Sequence, residues 1–152
     1  SNAAHSIFSL LAKTKSLRML YLWGNNLNDN GAAIITKGFT SNMSLRDIRV
    51  MMSCISDTGA IALVGAFKQH YLLQDLDLSG NTITDTGGEA IVVALKENVQ
   101  VDNLGLFGSK LGTVKDNITH NLRLNKAGRR LCQNPNIHLS NNLDLLVTFN
   151  TT

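Results

Sequence analysis

Leu17, Leu45, Leu73 and Val101 follow one another at a step of 28 residues, and the residues around each of them recur at the same step. Leu20, Ile48, Leu76 and Leu104 form one aliphatic column. Leu22, Val50, Leu78 and Leu106 form a second, and Leu27, Ile55, Ile83 and Leu111 a third. A repeat of this length constrains the fold more than any other feature. Each unit is one supersecondary element, and it hides its apolar face only by stacking on the next.

Within a unit the pattern changes period. Leu20-Tyr21-Leu22 alternates apolar and polar, so the two leucines point one way and Tyr21 the other, as on a short strand. Four strands are expected near 19–22, 47–50, 75–78 and 103–106, stacked in parallel. A polar column, Asn25, Ser53, Asn81 and Ser109, follows the strands. Its side chains are placed to hydrogen-bond turn backbone that would otherwise be buried unpaired. Serine reaches less far than asparagine, so the turns at Ser53 and Ser109 are expected to be held less tightly than those at Asn25 and Asn81.

Three units then carry Asp-x-Gly, as Asp29/Gly31, Asp57/Gly59 and Asp85/Gly87. An aspartate there suits a helix N-cap, accepting from the free amides of its helix's first turn. As catalytic carboxylates these residues make little sense, since they recur with the scaffold about one repeat apart. Apolar residues at helical spacing come next: Ile34, Ile35, Gly38 and Phe39, then Ala62, Leu63, Ala66 and Phe67, then Ala90, Ile91, Ala94 and Leu95. Such stripes pack on the backs of strands, and the small residues at 38, 66 and 94 let neighbouring helices approach closely.

The unit Leu-x-x-Leu-x-Leu-x-x-Asn/Ser-x-Leu-x-Asp-x-Gly followed by a helical stretch resembles the leucine-rich repeat. Its 28-residue length with a full helix is similar to the ribonuclease-inhibitor-like class, which includes NOD-like receptors and Ran GTPase-activating proteins. The resemblance covers roughly residues 4–125. It implies an α/β solenoid, a horseshoe segment with parallel strands on the concave face and helices on the convex face. It also implies a protein-binding role and no catalytic, cofactor or metal residues. An activator-like, GTPase-regulating role and a structural spacer within a larger receptor or scaffold are the alternatives it leaves open.

The ends follow from the same register. Residues 1–3, Ser-Asn-Ala, look like the scar of a cleaved expression tag, and 4–16 fit the helical half of a truncated upstream repeat. That edge is expected to be exposed and to favour self-association. Residues 17–112 hold the repeats. In 113–132, Thr113 and Lys115 replace the Asp and the Gly, while Ile118 and Leu122 keep helical spacing, so this stretch reads as a capping helix and turn that stops at Gly128. Leu122 is bulky where earlier units had Gly or Ala, as suits a last helix with no follower. In the tail 133–152, Leu143, Leu145, Leu146, Val147 and Phe149 fit either a short packing helix or a loose end.

Composition excludes several classes. The formal charge of +3 is modest, and only Lys126, Arg129 and Arg130 cluster, which a solvated chain end explains better than a nucleic-acid site. No apolar run is long enough for a membrane span. His5, His70, His120 and His138 lack metal-ligand spacing, and Cys54 and Cys132 form no paired framework, so no cofactor or metal is expected. The reduced cysteines favour an intracellular protein. Sequons at Asn42, Asn117 and Asn150 are the weaker argument for a secreted one.

Strand residues facing away from the core line the concave side in columns about 4.8 Å apart. Met19, Asp47, Asp75 and Asn103 form the first, Tyr21, Arg49, Asp77 and Gly105 the second, and Trp23, Met51, Ser79 and Phe107 the third, beside Met52. The only tryptophan, with Met51, Met52 and Phe107, falls on a face the core does not need, which is how interface hot spots are composed. Asp47, Asp75 and Asp77 make the face acidic at its centre. The expected partner is therefore a protein or peptide, basic rather than acidic, and not a nucleic acid.

Overall fold

A computed structural model describes residues 2–68 and 70–133, with side chains described for 3–68 and 70–128. Helices and strands alternate as α1 (Asn2–Lys13), β1 (Met19–Tyr21), α2 (Asn28–Ser41), β2 (Asp47–Arg49), α3 (Asp57–Phe67), β3 (Asp75–Asp77), α4 (Asp85–Glu97), β4 (Asn103–Gly105) and α5 (Val114–Gln133). The strands form one parallel sheet in chain order, and their register is the 28-residue step itself: Leu20, Ile48, Leu76 and Leu104 lie side by side. Each helix packs on the next, giving a strand layer and a helix layer with the core between them.

The three aliphatic columns supply the strand side of that core. Ile48, Val50, Ile55, Leu78 and Ile83 are wholly buried, and Ile35, Leu63 and Ile91 meet them from the helices. Phe39 and Phe67 stack from one repeat to the next with ring centroids 6.1 Å apart and a tilt of 32°, a favourable offset pair. Gly38 marks the close helix approach that its size implied. A Cβ there would stand 3.0 Å from the Leu11 Cβ and 3.4 Å from the Phe8 backbone.

The aspartates work differently from the expectation. Asp57 and Asp85 are the first residues of their helices and Asp29 the second, and their carboxylates reach across to the next repeat. Asp29 accepts from the Ser56 amide (2.8 Å), the Ser56 hydroxyl (2.5 Å) and the Gly59 amide (3.0 Å), all at the start of α3. Asp57 does the same for Thr84 and Gly87 at the start of α4. Burial alone would push the Asp57 carboxyl up, but these three donors outweigh it and hold the group below the usual carboxylate value. Each aspartate therefore welds one helix start to the following one. At α2 the first-turn amides are met from within the helix instead, by Asn28, whose Oδ1 accepts from the Asn30 and Gly31 amides.

The last helix also departs from the expectation. Asn42, His70 and Asn98, at the exits of their helices, form a buried row with Asn125, which lies within α5; Asn42 donates to the Leu11 and Thr14 carbonyls and Asn125 to those of Asn98 and Val101. The first steps in this row are 28 residues, but 125 − 98 = 27. The final period is one residue short, so α5 is turned from the orientation that a 28-residue step would give it. Ile118 takes the place of Ile35, Leu63 and Ile91, and Leu122 that of Phe39, Phe67 and Leu95 rather than that of Gly38, Ala66 and Ala94. Gly128 is not a stop, since α5 continues to Gln133 and nothing crowds that glycine. The expectations for 134–152, Asn150 among them, lie outside the described residues. Asn42 is fully buried with its side chain hydrogen-bonded, so its sequon is a packing residue in this fold.

Candidate functional site

The parallel register brings the predicted columns together residue for residue. Met19, Asp47, Asp75 and Asn103 are successive partners across the sheet, as are Tyr21, Arg49, Asp77 and Gly105. The first two strands are cross-tied. The Tyr21 hydroxyl donates to Asp47 at 2.8 Å, and Arg49 donates to both oxygens of the same carboxylate at 3.1 Å each. The Arg49 guanidinium also lies 4.8 Å from the Tyr21 ring centroid, a cation–π contact. The hydrogen bond to Asp47 is the main cause of the raised pKa of both Tyr21 and Arg49.

Asp47 is therefore nearly buried and fully engaged, while the hydrogen bonds to Asp75 and Asp77 come from neutral donors, with Arg49 standing beside Asp77 across the sheet. Asp75 accepts from the Asn103 amide group at 2.7 Å, and Asp77 from the Ser79 amide at 2.9 Å. Asp77 leans over Gly105, where an added Cβ would collide with its carboxylate. The acidic centre expected from sequence is thus two carboxylates on β3, displaced towards β4.

The third column divides. Trp23 is 66% and Phe107 88% exposed, whereas Met51 is half-buried and Ser79 buried, its hydroxyl accepting from the Phe107 amide at 3.1 Å. Met19, Tyr21 and Met52 are each more than half exposed. Met52 carries a further signal. Its φ of +47° is left-handed, and the equivalent residues are all glycine: Gly24 (+71°), Gly80 (+72°) and Gly108 (+81°). A side chain there strains the backbone, with a cost of order 1–3 kcal/mol. Yet Met52 lies against Gly80 and leaves most of its surface in solvent.

Four residues of α5 complete the surface and were not among the binding residues expected from sequence. Thr119, Leu122, Arg123 and Lys126 face the strand residues Asp75, Asp77 and Asn103 across a cleft of about 480 Å³. Lys126, read as part of a solvated chain end, is thus a wall of this cleft. The signal that could have found it is the 27-residue step to Asn125, which turns this side of α5 towards the sheet. Among the described residues no group of three metal-ligating side chains comes together. No helix there is long and apolar enough to cross a membrane.

The Leucine Rich repeat family model matches residues 41–64 and 72–92. No curated protein sequence matches the chain. Among solved structures, "Leiomodin-1 Actin-Binding Site 2 (ABS2)" is similar at a TM-score of 0.76 with 20% identity, over 87% of this chain and 77% of that one. A tropomodulin C-terminal domain from Caenorhabditis elegans is similar at 0.59 with 13% identity, over 86% of this chain and 97% of that one. Identities this low speak to the shared fold.

Proposed function

The chain is a leucine-rich-repeat solenoid of the ribonuclease-inhibitor-like type, and we propose that it is a recognition module that binds a partner protein or peptide on the concave face of its sheet. One observation carries the reading. Met19, Tyr21, Trp23, Met52 and Phe107 are large, apolar or aromatic and more than half exposed, on a face where the core asks nothing of them. Met52 holds its place against backbone strain that glycine would avoid, so its side chain has a use that folding does not supply. Aromatic and methionine side chains are the groups from which interface hot spots are made. A purely structural spacer would leave Trp23 and Phe107 unexplained. The similar leiomodin-1 structure is named for binding actin, itself a protein, which agrees with the partner class.

The test is a comparison of faces. Trp23→Ala should weaken partner binding by about 2 kcal/mol or more, measured by calorimetry, with the melting temperature almost unchanged. On the convex side, Lys37→Glu alters an exposed residue and should leave affinity intact. Lys68→Glu is the less clean control, because Lys68 pairs with Glu97 at 3.0 Å. Binding lost with the convex change and kept with Trp23→Ala would move recognition to the helices.

A further inference from the structure

We propose that the cleft between β3–β4 and α5 is a recognition pocket for a partner segment that carries a basic and an acidic side chain close together. The inference rests on the concave-face reading and specifies the chemistry of the guest. The two walls have opposite charge. Asp75, Asp77 and Asp102 stand on the strand side, where Arg49 is already held by Asp47, and Arg123 and Lys126 stand on the helix side. The walls do not neutralise each other: the ion pairs among the described residues are Arg49–Asp47 and Lys68–Glu97. The cleft between them, about 480 Å³, has room for a pair of side chains.

Two features shape this space. Gly105 places no side chain in the second column, and the Asp77 carboxylate occupies the room above it. Leu122, turned by the short final period, offers a half-buried apolar base between the charges. A guest cation would form charge-assisted hydrogen bonds with Asp75 and Asp77, and a guest carboxylate with Arg123 and Lys126. A guest with only one sign of charge meets one attractive and one repulsive wall, and this selects for the mixed pair. The simple expectation of a basic partner is sharpened accordingly.

A display library of random peptides, selected on the whole chain, tests this without a known partner. Peptides enriched on the unaltered protein should share a Lys or Arg beside an Asp or Glu. Selection on Asp75→Asn/Asp77→Asn should lose the basic preference and keep the acidic one, and Arg123→Gln/Lys126→Gln should do the reverse. A peptide from the first selection should bind either double variant about tenfold or more weakly, with the loss shrinking at high salt. These charge-removing changes are at accessible positions, and an unchanged melting curve confirms the fold. Enriched peptides that depend on Trp23 but ignore both walls would overturn the cleft proposal and leave the concave-face reading standing. Peptides indifferent to Trp23 and to both walls would end both. No enrichment at all would overturn the cleft proposal.

Discussion

The turn after β3 and the turn after β4 hold equivalent places one period apart, and they are held very differently. At the first, Asn81 accepts from the Ser53 and Ile55 amides at 3.0 and 3.1 Å and donates to the Val50 and Leu78 carbonyls at 2.8 Å each. At the second, the Ser109 hydroxyl is buried with no hydrogen-bond partner. Packing follows the same division: Leu76, Leu78 and Ile83 are buried, while Leu104, Leu106 and Leu111 are only half so. Three of the four Asn81 bonds reach back into the preceding repeat. A residue in this column therefore fastens the turn before it as much as its own. The expectation that Ser53 marks a loose turn fails for this reason, because Asn81 ties that backbone from outside. Asn25 fails in the opposite sense. It lies at the sheet edge, exposed, and donates only to the nearby Trp23 carbonyl.

The largest contrast should appear in the core. Leu78→Ala should cost about 2–5 kcal/mol, through lost burial and the cavity left between repeats. Leu106→Ala, the same change one repeat on at a half-buried site, should cost about 1–2 kcal/mol. Equal losses in denaturant titrations would mean that the fourth repeat is as well packed as the third. The next effect is polar. Asn81→Ser leaves buried turn groups unpaired and should cost about 2–3 kcal/mol, with faster hydrogen exchange at the Ser53 and Ile55 amides. Unchanged exchange there would show that Asn81 does not fasten the preceding turn.

The helix-exit row repeats the comparison with a titratable residue. Asn42, Asn98 and Asn125 each donate to carbonyls of the repeat before, whereas His70 is buried with both ring nitrogens unpartnered. Burial pushes the His70 pKa below its ordinary value of 6.5. The unfolded chain then takes up a proton near pH 6.5 that the folded chain resists. The stability present above that pH is lost as pH falls towards the folded value, by at most about 1.4 kcal/mol per pH unit. His70→Asn should restore the row and remove this loss. If the variant and the original lose equal stability between neutral pH and pH 5.5, His70 is not the group responsible.

The fold was legible because a column of identical character every 28 residues states which residues are neighbours before any geometry is known. Strand register and the arrangement of Tyr21, Arg49, Asp77 and Gly105 follow from it directly. The same periodicity hides direction. A pattern that looks alike after a shift of one period cannot say whether Asp57 caps its own helix or the next, and the structure shows the next. Nor could the helical spacing of Ile118 and Leu122 reveal the turn of α5, since residues four apart share a face in either register. The cleft depends on that turn. Its helix wall, Arg123 and Lys126, was therefore the part of the candidate site that the 28-residue register alone could not place.

The smallest expected effect is the most direct test of the contrast between the two turns. In Ser109→Asn, the longer side chain stands where Asn81 does one repeat earlier, so it should donate to the Leu78 and Leu106 carbonyls and accept from the Asn81 and Ile83 amides. Filling an unsatisfied buried position in this way should stabilise the chain by about 1 kcal/mol. The gain should be local. Hydrogen exchange should slow at the Asn81 and Ile83 amides, and Ser53 and Ile55, already held by Asn81, should exchange as before. A variant that stabilises nothing, or that slows exchange only within β4, would show that the fourth turn lies too far from the third for any side chain to bridge them. The looseness of the last repeat would then come from its half-buried leucines rather than from the missing asparagine.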